Sequence, residues 1–80
     1  MLKVSVISPE AVLFEGEVSS VVAPAHDGEV GILTGHAAMV AILGAGKLRL
    51  GNGQSFAIEG GFLQVADDEV RVVTEKAATA

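Results

Sequence analysis

The chain has 80 residues, half of them hydrophobic, with no cysteine, five Lys or Arg against ten Asp or Glu, and a net charge of −5. That excludes a disulfide framework and a thiolate metal site, and it argues against nucleic acid, whose phosphates are bound through Lys and Arg. One domain fits this length, and so high an apolar fraction in a small domain points to a docking face, a valine-rich β core, or both.

Short β-branched or alternating runs recur between turn residues, which is an all-β pattern. Leu2, Val4 and Val6 alternate with Lys3 and Ser5 and predict a first strand that ends by Ser8-Pro9. Residues 12–14 predict a short second strand, Glu15-Gly16-Glu17 a turn or bulge, and residues 18–23 a third strand stopped by Pro24. Residues 28–33 predict a strand in which Gly31 marks a close backbone approach. The run 37–43 suits a buried strand or a short helix, and the β context favours the strand. Gly44-Ala45-Gly46 turns the chain into a strand at 47–50, and Gly51-Asn52-Gly53 is a hairpin signal. Phe56 and Ile58 start the return, Gly60-Gly61 interrupts it, and residues 62–66 continue. Asp67-Asp68 predicts a further hairpin into a strand at 69–74. The β-domain is thus expected over residues 1–76, with 77–80 as a tail that is frayed or starts a helix. Many short strands around a thin core make a sandwich or barrel.

The run Pro24-Ala25-His26-Asp27-Gly28-Glu29-Val30-Gly31-Ile32-Leu33-Thr34-Gly35-His36 stands out between apolar stretches. It reads as a shaped loop on a β scaffold, an arrangement suited to recognition. Gly28, Gly31 and Gly35 permit positive φ or close approach, while Asp27 and Glu29 project charge. His26 and His36 with the two acids are a conceivable metal set, but their spacing is wider than that of usual ligand pairs. No serine lies in a nucleophile-elbow sequence, and Asp67-Asp68 is more simply a turn than a catalytic pair. Gly44-Ala45-Gly46-Lys47 lacks the spaced first glycine and the Ser or Thr of a phosphate loop. No catalytic residue, cofactor or metal is therefore expected. One alternative is a small carrier domain of the biotinyl or lipoyl kind, modified at Lys47 near a tight turn, although Gly46 and Leu48 do not match those families' contexts. No apolar run approaches the ~20 residues of a membrane-spanning helix, and Met1-Leu2-Lys3-Val4-Ser5 lacks signal-peptide architecture.

The stretch from Pro24 to Ala37 resembles the Gly-Glu-x-Gly-Ile-Leu-Pro-Gly-His-Ala-Pro segment of the ε subunit of F-type ATP synthases (δ in mitochondria). Ser8-Pro9-Glu10, Phe14-Glu15-Gly16-Glu17, Leu43-Gly44-Ala45-Gly46, Glu59-Gly60-Gly61-Phe62-Leu63-Gln64-Val65 and the closing run from Val70 to Glu75 extend the likeness over the chain. Thr34 and Ala38 stand where the family has proline, which loosens that segment. The resemblance implies the N-terminal β-domain alone: a flattened ten-stranded sandwich without the C-terminal helical hairpin. It implies a non-catalytic rotor part of the central stalk, peripheral on the cytoplasmic face of a bacterial membrane (or on a thylakoid). The implied partners are the γ subunit along one side and the c-ring at the loop-bearing end. Asp27, Gly28, Glu29 and Gly31 would then form the c-ring-facing loop, with Glu29 meeting a positive side chain, and His36 would lie near the stalk interface.

Overall fold

Period-two burial sets the architecture: Leu2, Val4 and Val6 point inward from one strand while Lys3 between them stays in water. The computed structural model describes residues 1–79, and in them every regular element is a strand. In chain order these are β1 (Leu2–Ile7), β2 (Val12–Val18), β3 (Ser20–Ala25), β4 (Gly28–Leu33), β5 (Met39–Ile42), β6 (Gly46–Leu50), β7 (Ser55–Glu59), β8 (Phe62–Ala66), β9 (Glu69–Val73) and β10 (Lys76–Thr79). They form two five-stranded sheets, β2-β1-β9-β8-β5 and β10-β7-β6-β3-β4. Only β1 and β9 run parallel; the other named pairs are antiparallel. The result is a flattened sandwich of 28 × 25 × 20 Å.

The core lies between the sheets. Leu2, Val4, Val6, Leu63, Val65, Val70 and Val72 from the first sheet meet Val21, Ile32, Leu48 and Ile58 from the second, all essentially without exposure. Thr74 is the buried polar residue; its hydroxyl lies 3.0 Å from the Gly60 carbonyl and 2.9 Å from that of Lys76, so it is satisfied. It ties the turn after β9 to the turn after β7 just as the chain crosses to the second sheet.

Several sequence expectations are corrected. Glu15-Gly16-Glu17 is not a turn: β2 runs through it, paired residue by residue with β1 from Glu15↔Ser5 to Val18↔Leu2. The Phe14 ring covers the side-chain space that Gly16 leaves, with its Cζ 3.2 Å from where a Cβ would be. Pro24 does not stop the third strand; β3 continues to Ala25, with Pro24 opposite Glu29. The Pro24 carbonyl accepts from the Gly44 N–H at 2.9 Å, so its missing N–H faces the side where the β6 ladder has already ended at Val22. Nor do residues 77–79 fray or start a helix; with Lys76 they pair with β7 as an edge strand, and Ala80 lies outside the described residues.

Candidate protein-docking site

The run from Pro24 to His36 is not one loop. It is a tight hairpin turn, a whole strand and a second turn. His26 and Asp27 make the first turn, and Gly28 follows at φ 134°, a backbone angle that an L side chain resists. Glu29 and Gly31 lie within β4, opposite Pro24 and Val22. Gly31 has no positive φ, and a Cβ there would meet nothing within 4 Å, so the expected close approach is absent. His36 sits beyond the far end of β4. Six residues of strand, about 20 Å, separate the two turns, so His26 and His36 do not converge on a metal.

The end that carries His26 and Asp27 is called the lower end; the turns after β1, β7 and β9 share it. At this end backbone groups lock neighbouring segments together. His26 N–H donates to Ile42 C=O at 2.7 Å, Gly44 N–H to Pro24 C=O at 2.9 Å, and Leu43 N–H to Gly61 C=O at 2.9 Å. Asp27 is exposed at the tip and has no ion pair or hydrogen bond among the described residues. Glu29 does have a partner: its Oε2 accepts from the Arg49 guanidinium at 3.1 Å, across the outer face of the second sheet. Glu29 thus already has a positive neighbour within the chain, on the outer face of its own sheet. Arg49 was not among the residues singled out from sequence, because it lies 20 positions away.

At the upper end, His36 is half-buried and its Nδ1 lies 2.8 Å from the Ala37 carbonyl. The Gly35 N–H donates to the Asp68 carboxylate at 2.7 Å. Lys47, the candidate for covalent attachment, is paired with Ala57 inside β6; the tip of that hairpin is Gly51-Asn52-Gly53. Lys47 is exposed, but it lies in a strand ladder and not at the hairpin tip where a swinging carrier lysine sits.

The high apolar fraction points to a docking face, and the register shows which residues form one. The register of the first sheet aligns Val12↔Ile7, Ile7↔Val73, Val73↔Phe62 and Phe62↔Ile42. One apolar residue from each of the five strands thus falls in a single row, about 19 Å long at ordinary strand spacing. None of the five is in the buried core; Val12 is 59% exposed, Ile42 63% and Phe62 38%. The next row up is polar apart from its end, reading Glu15, Ser5, Arg71, Gln64 and Val40. Val40, 65% exposed, extends the apolar surface up β5; Leu33, 63% exposed, shares the parity of Glu29 on β4 and so lies on the outer face of the other sheet. Each strand shows an outward apolar residue at one terminus, a signal that becomes a pattern only when the register is known.

Residues 1–80 match the family described as ATP synthase, Delta/Epsilon chain, beta-sandwich domain. The chain is 46% identical over 80 residues to the ATP synthase epsilon chain of Leptospira borgpetersenii serovar Hardjo-bovis (strain JB197), covering 96% of this chain and 63% of that one. It is 42% identical to the ATP synthase epsilon chain of Chlorobium limicola over 77 residues, 91% of this chain and 88% of the relative. It thus spans less than two thirds of the Leptospira relative's length. Among solved structures, a chain of the Euglena gracilis mitochondrial ATP synthase, from a complex described as OSCP/F1/c-ring, superposes with a TM-score of 0.89 at 26% identity, over 98% of this chain and 52% of that one. A chain from the central stalk and c-ring of the Tetrahymena thermophila enzyme shares the fold, with a TM-score of 0.79 at 19% identity, over 96% and 65%. By sequence over its whole length, with the ten-stranded sandwich to match, this chain belongs to the delta/epsilon family of ATP synthase chains, through their β-sandwich domain.

Proposed function

We propose that this chain is the β-domain of a central-stalk rotor subunit of an F-type proton-translocating ATP synthase, and that it helps couple proton flow to ATP synthesis by holding neighbouring parts together. The observation that carries this reading is the exposed apolar row Val12–Ile7–Val73–Phe62–Ile42, which meets the acidic hairpin tip at one end of the sandwich. An ordered apolar row on one face of a small domain suits a permanent protein neighbour. In this reading the γ subunit covers the row and the flank that leads up β5 through Val40 toward His36. The tip, with Asp27 leading, Gly28 shaping the turn and Gly31 keeping the strand face low, rests on the polar loops of the c-ring. Glu29 shares its charge with Arg49 and offers the remainder to a basic c-ring side chain. No bond is made or broken by this domain, and its attachment to the membrane is peripheral, through the complex.

Co-purification with the γ subunit and the c-ring tests this, using Ile42→Asp and Phe62→Asp against the unaltered chain. Both positions face water, so the variants keep the β circular dichroism of the parent. Each lowers affinity for the γ subunit by at least about tenfold, the scale of a central apolar contact. Unchanged affinity in both variants would remove the row from the interface.

A further inference from the structure

We infer that Asp68 is a positioning residue, a latch that holds the turn at residues 34–38 in the shape in which it docks. This rests on the stalk reading above, which sets His36 against the γ subunit. Residues 34–38 carry the chain from β4 of the second sheet to β5 of the first. Within the turn, local support is short-range: His36 N–H donates to the Leu33 carbonyl at 3.1 Å, the His36 Nδ1 lies 2.8 Å from the Ala37 carbonyl, and Thr34, Gly35, Ala37 and Ala38 are exposed. Thr34 and Ala38 also lack the rings that would restrict φ there.

The missing restraint comes from a position 33 residues away. Asp68 Oδ1 accepts the Gly35 N–H at 2.7 Å. Its own carbonyl accepts the Lys3 N–H at 2.8 Å, so one residue joins the β8–β9 hairpin to the start of β1 and to the crossover. Asp67 and Asp68 have φ of 50° and 59°, the left-handed pair of a two-residue hairpin turn. Glycine is the favoured residue at the second of these positions, so aspartate is a poorer turn former than the site allows. What it adds is a charged acceptor, and hydrogen bonds to ionised groups are roughly twice as strong as neutral ones.

That separation of roles makes the test clean. Asp68→Gly keeps the turn geometry and removes only the carboxylate; Asp68→Asn keeps an acceptor oxygen and tolerates positive φ. In the 80-residue chain, amide exchange at Gly35 quickens by about tenfold or more in Asp68→Gly. Exchange at Lys3, bonded to the residue 68 backbone, stays slow. Affinity for the γ subunit falls several-fold in Asp68→Gly and recovers in Asp68→Asn. Unchanged Gly35 exchange in Asp68→Gly would overturn the latch. Faster Gly35 exchange with parental γ affinity would overturn the docking role. Failure of the unaltered chain to bind γ would instead remove the stalk reading, while the exchange rates still decide the latch.

Discussion

The two turns that bracket β4 are fixed by different parts of the chain. The lower one, at His26 and Asp27, is held by backbone alone: its own ladder with β3, and carbonyl–amide bonds to Ile42 and Gly44. The upper one, at residues 34–38, relies on a side chain from another hairpin. A turn held by backbone keeps its shape whatever side chains it displays, so its tip is free to carry charge for a partner. A turn whose one long-range tie is a carboxylate can be loosened by one substitution that leaves the rest of the fold in place.

The sharpest way to break the backbone-held end is Gly61→Ala. Gly61 has φ 106°, and a Cβ there would run into the Val73 carbonyl oxygen and come within 2.7 Å of the Thr74 Cα. Neither is the movable end of a side chain, so β8 and β9 must part. The Gly61 carbonyl also accepts the Leu43 N–H that helps fix β5 beside the hairpin tip. The expected loss exceeds about 3 kcal/mol, in the range reserved for strain and disrupted cores. Chemical denaturation of the variant, or its appearance in the insoluble fraction, checks this.

Gly28→Ala strikes the same end more gently. Its φ of 134° is unfavourable for alanine, but a Cβ would meet nothing within 4 Å. The cost is therefore backbone strain alone, about 1–3 kcal/mol, read as a lower denaturation midpoint with an unchanged slope. If Gly28→Ala were as damaging as Gly61→Ala, crowding would not be what separates the two glycines.

What could be read from the sequence follows the same division. Hairpins closed by neighbours were legible: Asn52 and Gly53 turn between β6 and β7, and Asp67 and Asp68 between β8 and β9, because their dihedral demands lie in the residues themselves. Features set by distant partners were not. Gly16 reads as a break until the Phe14 ring is seen to cover it. Pro24 reads as a stop until the β6 ladder is seen to end before it. β10 has small residues with no alternation of its own and is a strand because β7 offers an edge. The candidate site divides likewise. Asp27 and Gly28 were legible as a charged tip with a shaped backbone. The apolar row needed the register of five strands, and the roles of Arg49 and Asp68 needed pairings across 20 and 33 residues.

The smallest expected effect concerns the Glu29–Arg49 pair, and it sharpens the contrast from the side-chain side. The two side chains are 61% and 52% exposed and meet at 3.1 Å on the outer face of the second sheet. Unlike the Asp68 carboxylate, which binds a backbone amide of a crossover, this pair joins strands already joined through β3. Its geometry is redundant, and solvent screens its charges. A double-mutant cycle with Glu29→Gln and Arg49→Gln should give a coupling of about 0.2–1 kcal/mol in thermal or denaturant unfolding, shrinking as salt is added. A coupling well above that range, or one indifferent to salt, would mean that the pair organises β4 as Asp68 organises the crossover. The side-chain-held class would then include both ends of the strand.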